Sequence, residues 1–169
     1  PQCRAKNPDG TDFGGRQSSY VHPEFLSRAR RYYRAVAEIV RPFLAEHGGP
    51  VACVQLDNEV TGIHVWFDGV DFNPESYGFG TDDGRYPTFL KAKYGGIAAV
   101  NEAYGTRWAS FAEARPLRDL PAASTLADER RRCDYLDCYH ASISEYLLVL
   151  RGWLEADGIS GLFCTNSAN

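Results

Sequence analysis

The chain has 169 residues, is 44% hydrophobic and 24% charged, and carries a net charge of −4. That is the mix of an ordinary globular domain long enough to bury a real core. The acidic balance without a basic block argues against a partner held through nucleic-acid phosphates, and no apolar run is long enough to span a bilayer as a helix.

In chain order, residues 1–19 read as loop, with Asn7-Pro8-Asp9-Gly10 as a turn. The N-terminus does not read as a signal peptide, and the absence of Met suggests a natural chain that begins earlier. His22-Pro23-Glu24 opens a helix whose apolar residues recur at helical spacing through Phe43 and Leu44; Pro42 loosens its last turn. Gly48-Gly49-Pro50 ends it. Val51 to Leu56 then reads as a buried strand that runs into Asp57-Asn58-Glu59.

A long loop, Thr61 to Gly84, carries Trp66, Phe67, Phe72, Tyr77 and Phe79. Loops of this length in a compact domain tend to be functional, and these aromatics are candidates for setting substrate preference. Helices are predicted over about 86–94 and 97–104, a turn or two over 108–114, and a connector over 116–124. A long helix follows over 125–156, its apolar face marked by Tyr135, Leu136, Tyr139, Ile143, Tyr146, Leu147, Leu150 and Leu154. Gly158 caps it, and Ile159 to Thr165 reads as a second buried strand. Short hydrophobic strands joined by helices imply an α/β arrangement with a parallel sheet. Two strands cannot stand alone, so more are expected on either side of this segment.

Of the five cysteines, Cys53 and Cys164 lie in apolar strand-like runs and are expected as small buried hydrophobes. No Cys/His spacing suits zinc, so no metal or other cofactor is expected. The odd count argues against a disulfide framework and mildly favours a reducing, cytoplasmic setting.

Asp57-Asn58-Glu59 carries the candidate chemistry. A buried strand that ends in an amide and a carboxylate holds both at the rim of a sheet, where ligands bind in α/β folds. Side chains alternate along a strand, but where the backbone leaves the pleat Asn58 and Glu59 can converge on one pocket. Glu59 could then protonate a leaving oxygen and later activate water, while Asn58 binds a sugar hydroxyl. Standing alone, such a tripeptide is more often a turn cap than a catalytic site.

Its surroundings change that balance. Gly48-Gly49-Pro50-Val51-Ala52-Cys53-Val54-Gln55-Leu56-Asp57-Asn58-Glu59 resembles the acid/base strand of family 35 beta-galactosidases. The segment from Phe89-Leu90 through Lys93-Tyr94-Gly95-Gly96-Ile97, Val100-Asn101-Glu102 and Tyr104-Gly105-Thr106 is similar to family 42 beta-galactosidases, and Leu162-Phe163-Cys164-Thr165-Asn166 looks like the next strand of both. The resemblance implies part of a (β/α)8 TIM barrel, with residues 1–169 a single incomplete segment that supplies strands four and five and their flanking helices. It places Glu59 at the acid/base position, Asn58 at the partner amide, and Thr165 and Asn166 near the substrate rim. It implies retaining hydrolysis of terminal β-D-galactosides through a covalent glycosyl-enzyme. The family's nucleophile belongs to a seventh strand, which is expected outside this chain. The loop after Glu59 lacks the cysteines of the family 42 zinc cluster.

Trp66 is the candidate sugar platform, since apolar sugar faces stack on aromatic rings, and His64 is a lesser candidate because retaining chemistry needs carboxylates. Trp108 is expected to be structural. The expected partner is therefore a carbohydrate substrate, with no nucleic acid and no membrane. Alternatives remain: a carbohydrate-binding module of the same ancestry that does not cleave, or a structural fragment whose open sheet edge pairs with a second copy of the chain.

Overall fold

The computed structural model describes residues 2–14, 17–63, 69–117, 119 and 121–166. Helix α1 (Pro23–Val40) starts where the sequence places it: His22 Nδ1 accepts the Glu24 N–H at 3.1 Å, and Pro23 occupies a first-turn position that needs no donor. Near Pro42 the chain tightens into the 3₁₀ turn Arg41–Phe43. After strand β1 (Cys53–Gln55) come a one-turn helix α2 (Pro74–Tyr77), α3 (Arg85–Tyr94) and α4 (Ile97–Tyr104).

The 31-residue helix α5 (Leu126–Ala156) is the spine of the molecule. Thr125 and Asp128 form a reciprocal capping box at its start. At its end Gly158 takes φ +81°, while the Ile159 and Gly158 amides reach back to Leu154 O and Glu155 O; this double return closes the last turn. Strand β2 (Leu162–Cys164) follows.

The core lies between the helices and is rich in tyrosine. Tyr77, Tyr86 and Tyr135 pack together, with Tyr86 meeting Tyr135 edge-on at 5.3 Å. Leu90, Val100, Ile143, Leu150 and Leu154 complete it. Phe72 and Tyr77 are buried here and Phe79 packs against this cluster, so these loop aromatics contribute to the core. Trp66, Phe67 and His64 lie outside the described residues. Trp108 is structural: its backbone exchanges hydrogen bonds with the Asn101 side chain at 2.8 and 2.9 Å, and Arg131 lies over its ring. Among the described residues no helix is long and apolar enough to cross a membrane.

The sheet departs from expectation. Among the described residues it consists of β1 and β2 alone, three residues each, paired in parallel with Val54 opposite Phe163. A part of a (β/α)8 barrel is therefore not shown, and the chain is mostly helical. Nor are the strands buried: Cys53, Gln55, Leu162 and Cys164 are exposed, while Val54 and Phe163 turn toward the helices. A continuous apolar run fits a strand covered on both faces, but it cannot report how many neighbours cover it. Here α1 and α5 cover one face, and burial is carried by residues just beyond the strands, Leu56 and Ile159. Cys53 and Cys164 thus present their thiols 3.4 Å apart on the open face.

Candidate active site

The end of β1 is held from both sides. Leu56 N–H continues the ladder to Cys164 O at 2.9 Å, and Leu56 O accepts the Tyr33 hydroxyl from α1. Asp57 turns its carboxylate to α5, where Oδ2 accepts the Tyr146 hydroxyl at 2.8 Å and Oδ1 accepts the Asn58 N–H at 2.7 Å. Tyr20 stacks on Tyr146 with centroids 4.8 Å apart. Burial, followed by the nearby Asp57 charge, pushes the Tyr20 and Tyr33 hydroxyls up to about 12. Burial and the hydrogen bond to Asp57 raise Tyr146 as well. All three stay protonated at neutral pH, so Tyr146 remains a donor to Asp57.

The other side chains of this strand end gather around one amide. Asn166, two residues beyond β2, accepts through Oδ1 from Gln55 Nε2 at 2.9 Å and from the Glu59 backbone N–H at 3.2 Å. Gln55 Nε2 also lies 3.0 Å from Asp57 O and 3.2 Å from Asn58 Oδ1. Glu59 has φ +52°, the one left-handed non-glycine residue among those described. Its carbonyl accepts the Gly62 N–H at 2.8 Å, and the residue is half-buried. Left-handed backbone costs an L-residue about 1–2 kcal/mol and persists only where surrounding contacts hold it.

Three sequence-derived site residues, Asn58, Glu59 and Asn166, thus share one cluster, and Trp66 lies outside the described residues. The sequence reading missed Gln55 and Tyr146. Gln55 could have been found, since a lone amide in an apolar strand demands partners. Tyr146 carried no such signal, because it looks like one more apolar-face residue of α5. The turn-cap alternative for this tripeptide finds little in Asp57, whose carboxylate accepts the amide of its immediate neighbour Asn58 and the Tyr146 hydroxyl on α5.

A cleft of about 530 Å³, lined by Glu75, Arg85, Ser142 and Glu145 among others, includes none of these strand-end residues. Size alone does not make it the site: Arg85 and Glu145 already pair with each other there. Among the described residues no group of three or more potential ligands could hold a metal ion.

No family model matches the chain. It is 30% identical over 148 residues to a beta-1,2-glucosyltransferase of Ignavibacterium album, an alignment covering 84% of this chain and 19% of that protein. It is 28% identical over 121 residues to an exo-beta-D-glucosaminidase of Pyrococcus horikoshii, covering 69% of the chain and 15% of that protein. Among solved structures, an exo-beta-agarase superposes with a TM-score of 0.58 at 26% identity, covering 96% of this chain and 22% of that one. These relatives are carbohydrate-active enzymes. The chain spans less than a fifth of the length of the two curated relatives. Their names support glycoside processing in general and do not single out the family 35 or 42 beta-galactosidases suggested by the sequence.

Proposed function

We propose that this chain carries the proton-donating end of an enzyme that processes β-linked glycosides, with Glu59 as general acid/base and Asn58 as a hydrogen-bond partner for a sugar hydroxyl. The observation that carries the reading is the backbone of Glu59. It is left-handed at the exit of β1 and pinned to Asn166 beyond β2, in a chain whose relatives act on sugars. Strain of this kind collects at functional sites, because a defined side-chain direction is worth its cost there.

In the proposed cycle Glu59 gives its proton to the glycosidic oxygen as the bond to the anomeric carbon breaks. A second carboxylate, to which no residue of this chain is assigned, forms the glycosyl-enzyme. Glu59, now a base, takes a proton from the incoming water or sugar hydroxyl, and the anomeric configuration is retained. A terminal β-D-galactoside is the first substrate to test, followed by β-glucosides and β-glucosaminides.

The decisive experiment is Glu59→Gln in the full-length polypeptide, assayed on β-glycosides with poor and with activated leaving groups. Turnover of the poor leaving groups should fall by roughly 10²–10⁴ and that of the activated ones far less, because an activated aglycone departs without a proton. Equal losses on both would remove Glu59 from the acid/base role.

A further inference from the structure

We infer that Gln55 is a positioning residue for Glu59 and acts through Asn166, an inference that rests on the acid/base reading above. Asn166 Oδ1 receives two N–H donors, one from the Gln55 side chain and one from the Glu59 backbone. Both partners are donors, so only the oxygen of the Asn166 amide can face them. Gln55 therefore sets which way this amide points, and the amide pins the one left-handed non-glycine backbone among the described residues.

The same Gln55 nitrogen reaches Asp57 O and Asn58 Oδ1. Its two hydrogens are shared among three acceptors, all beyond the end of a strand. This is the geometry of a clip that closes the exits of β1 and β2 on each other. Asp57, tied to Tyr146 on α5, braces the clip from the other side. Side-chain truncation at Gln55 leaves the Asn166 amide free to rotate, and Glu59 loses one of the two contacts that hold its backbone, keeping only the bond from Gly62.

Gln55→Met keeps length and volume but donates nothing. In the full-length polypeptide it should lower kcat on substrates with poor leaving groups by roughly tenfold, the loss expected of one positioning hydrogen bond, with KM changed less than twofold. The loss on activated substrates should be smaller. A double-mutant cycle with Glu59→Gln separates positioning from general destabilisation: once Glu59 cannot donate a proton, Gln55→Met should add almost nothing. Amide hydrogen exchange gives a readout independent of activity, since the Glu59 N–H should exchange faster in Gln55→Met while amides of α5 do not.

Undiminished kcat in Gln55→Met, or a loss that multiplies fully with that of Glu59→Gln, overturns the positioning role. If Glu59→Gln itself shows no leaving-group dependence, the acid/base reading has failed instead, and the exchange result still decides whether the clip exists.

Discussion

Asp134 and Glu59 are held in opposite ways. Asp134 is only 2% exposed, and its carboxylate accepts three hydrogen bonds. Lys93 Nζ donates to Oδ1 at 2.6 Å, and the Tyr94 and Tyr104 hydroxyls both donate to Oδ2, at 2.5 and 2.6 Å. At Glu59 the described hydrogen bonds grip the backbone, through its N–H and its carbonyl. A buried carboxylate engaged by three fixed donors ties helices together and is shut off from a ligand. A residue held by its main chain is aimed. One arrangement serves stability, the other direction.

Exchanging what holds each residue tests this contrast. Asp134→Leu would strand a buried Tyr104 hydroxyl and the partners beside it, so it should cost about 3 kcal/mol in urea unfolding. Turnover per folded molecule should stay unchanged. A cost below about 1 kcal/mol would mean that water or Asp137 replaces the lost acceptor.

Glu59→Gly should do the reverse. Glycine takes positive φ without penalty, so the variant should be about 1 kcal/mol more stable while losing activity. A less stable Glu59→Gly protein would show that the side chain contributes more to the fold than its backbone costs.

The smallest effect concerns the ion pair between α1 and the residue after α5. Arg30 hydrogen-bonds both oxygens of Asp157 and, chiefly through that bond, holds its carboxyl below the ordinary 3.8. A carboxyl that is more acidic folded than unfolded adds stability above its unfolded value and loses it as pH falls through the folded one. Arg30→Gln should therefore melt with a shallower acid-side decline, its curve approaching that of the parent as Asp157 becomes protonated. Parallel curves down to about pH 3 would assign the acid sensitivity to other groups.

The helices were legible because their information is local. Thr125 and Asp128 announce the start of α5, and the buried face of that helix follows the 3.6-residue period through Tyr135, Tyr139, Ile143, Tyr146, Leu150 and Leu154. The strands were only half legible. The apolar runs mark where β1 and β2 begin and end to within a few residues, but they predict buried strands. In the structure Cys53 and Cys164 face outward, and among the described residues the sheet is a single short parallel pair. The candidate site divided in the same way. Glu59 and Asn58 stood out at a strand exit, while the lone Gln55 amide marks a need for a partner but not which one, since Asn166 lies 111 positions away.

The sequence by itself determined the longer helices α1, α3, α4 and α5 and the polar tripeptide at the end of an apolar run, because propensity, period and capping act over a few residues, while the single turn α2 stood inside what reads as a loop. Tertiary structure alone decided that Asp57 braces against Tyr146, that Asn166 holds Glu59 in a left-handed turn, and that the strands keep an open face. Those outcomes depend on which distant surfaces meet, and hydrogen bonds between residues far apart in the chain become possible only after the helices have packed.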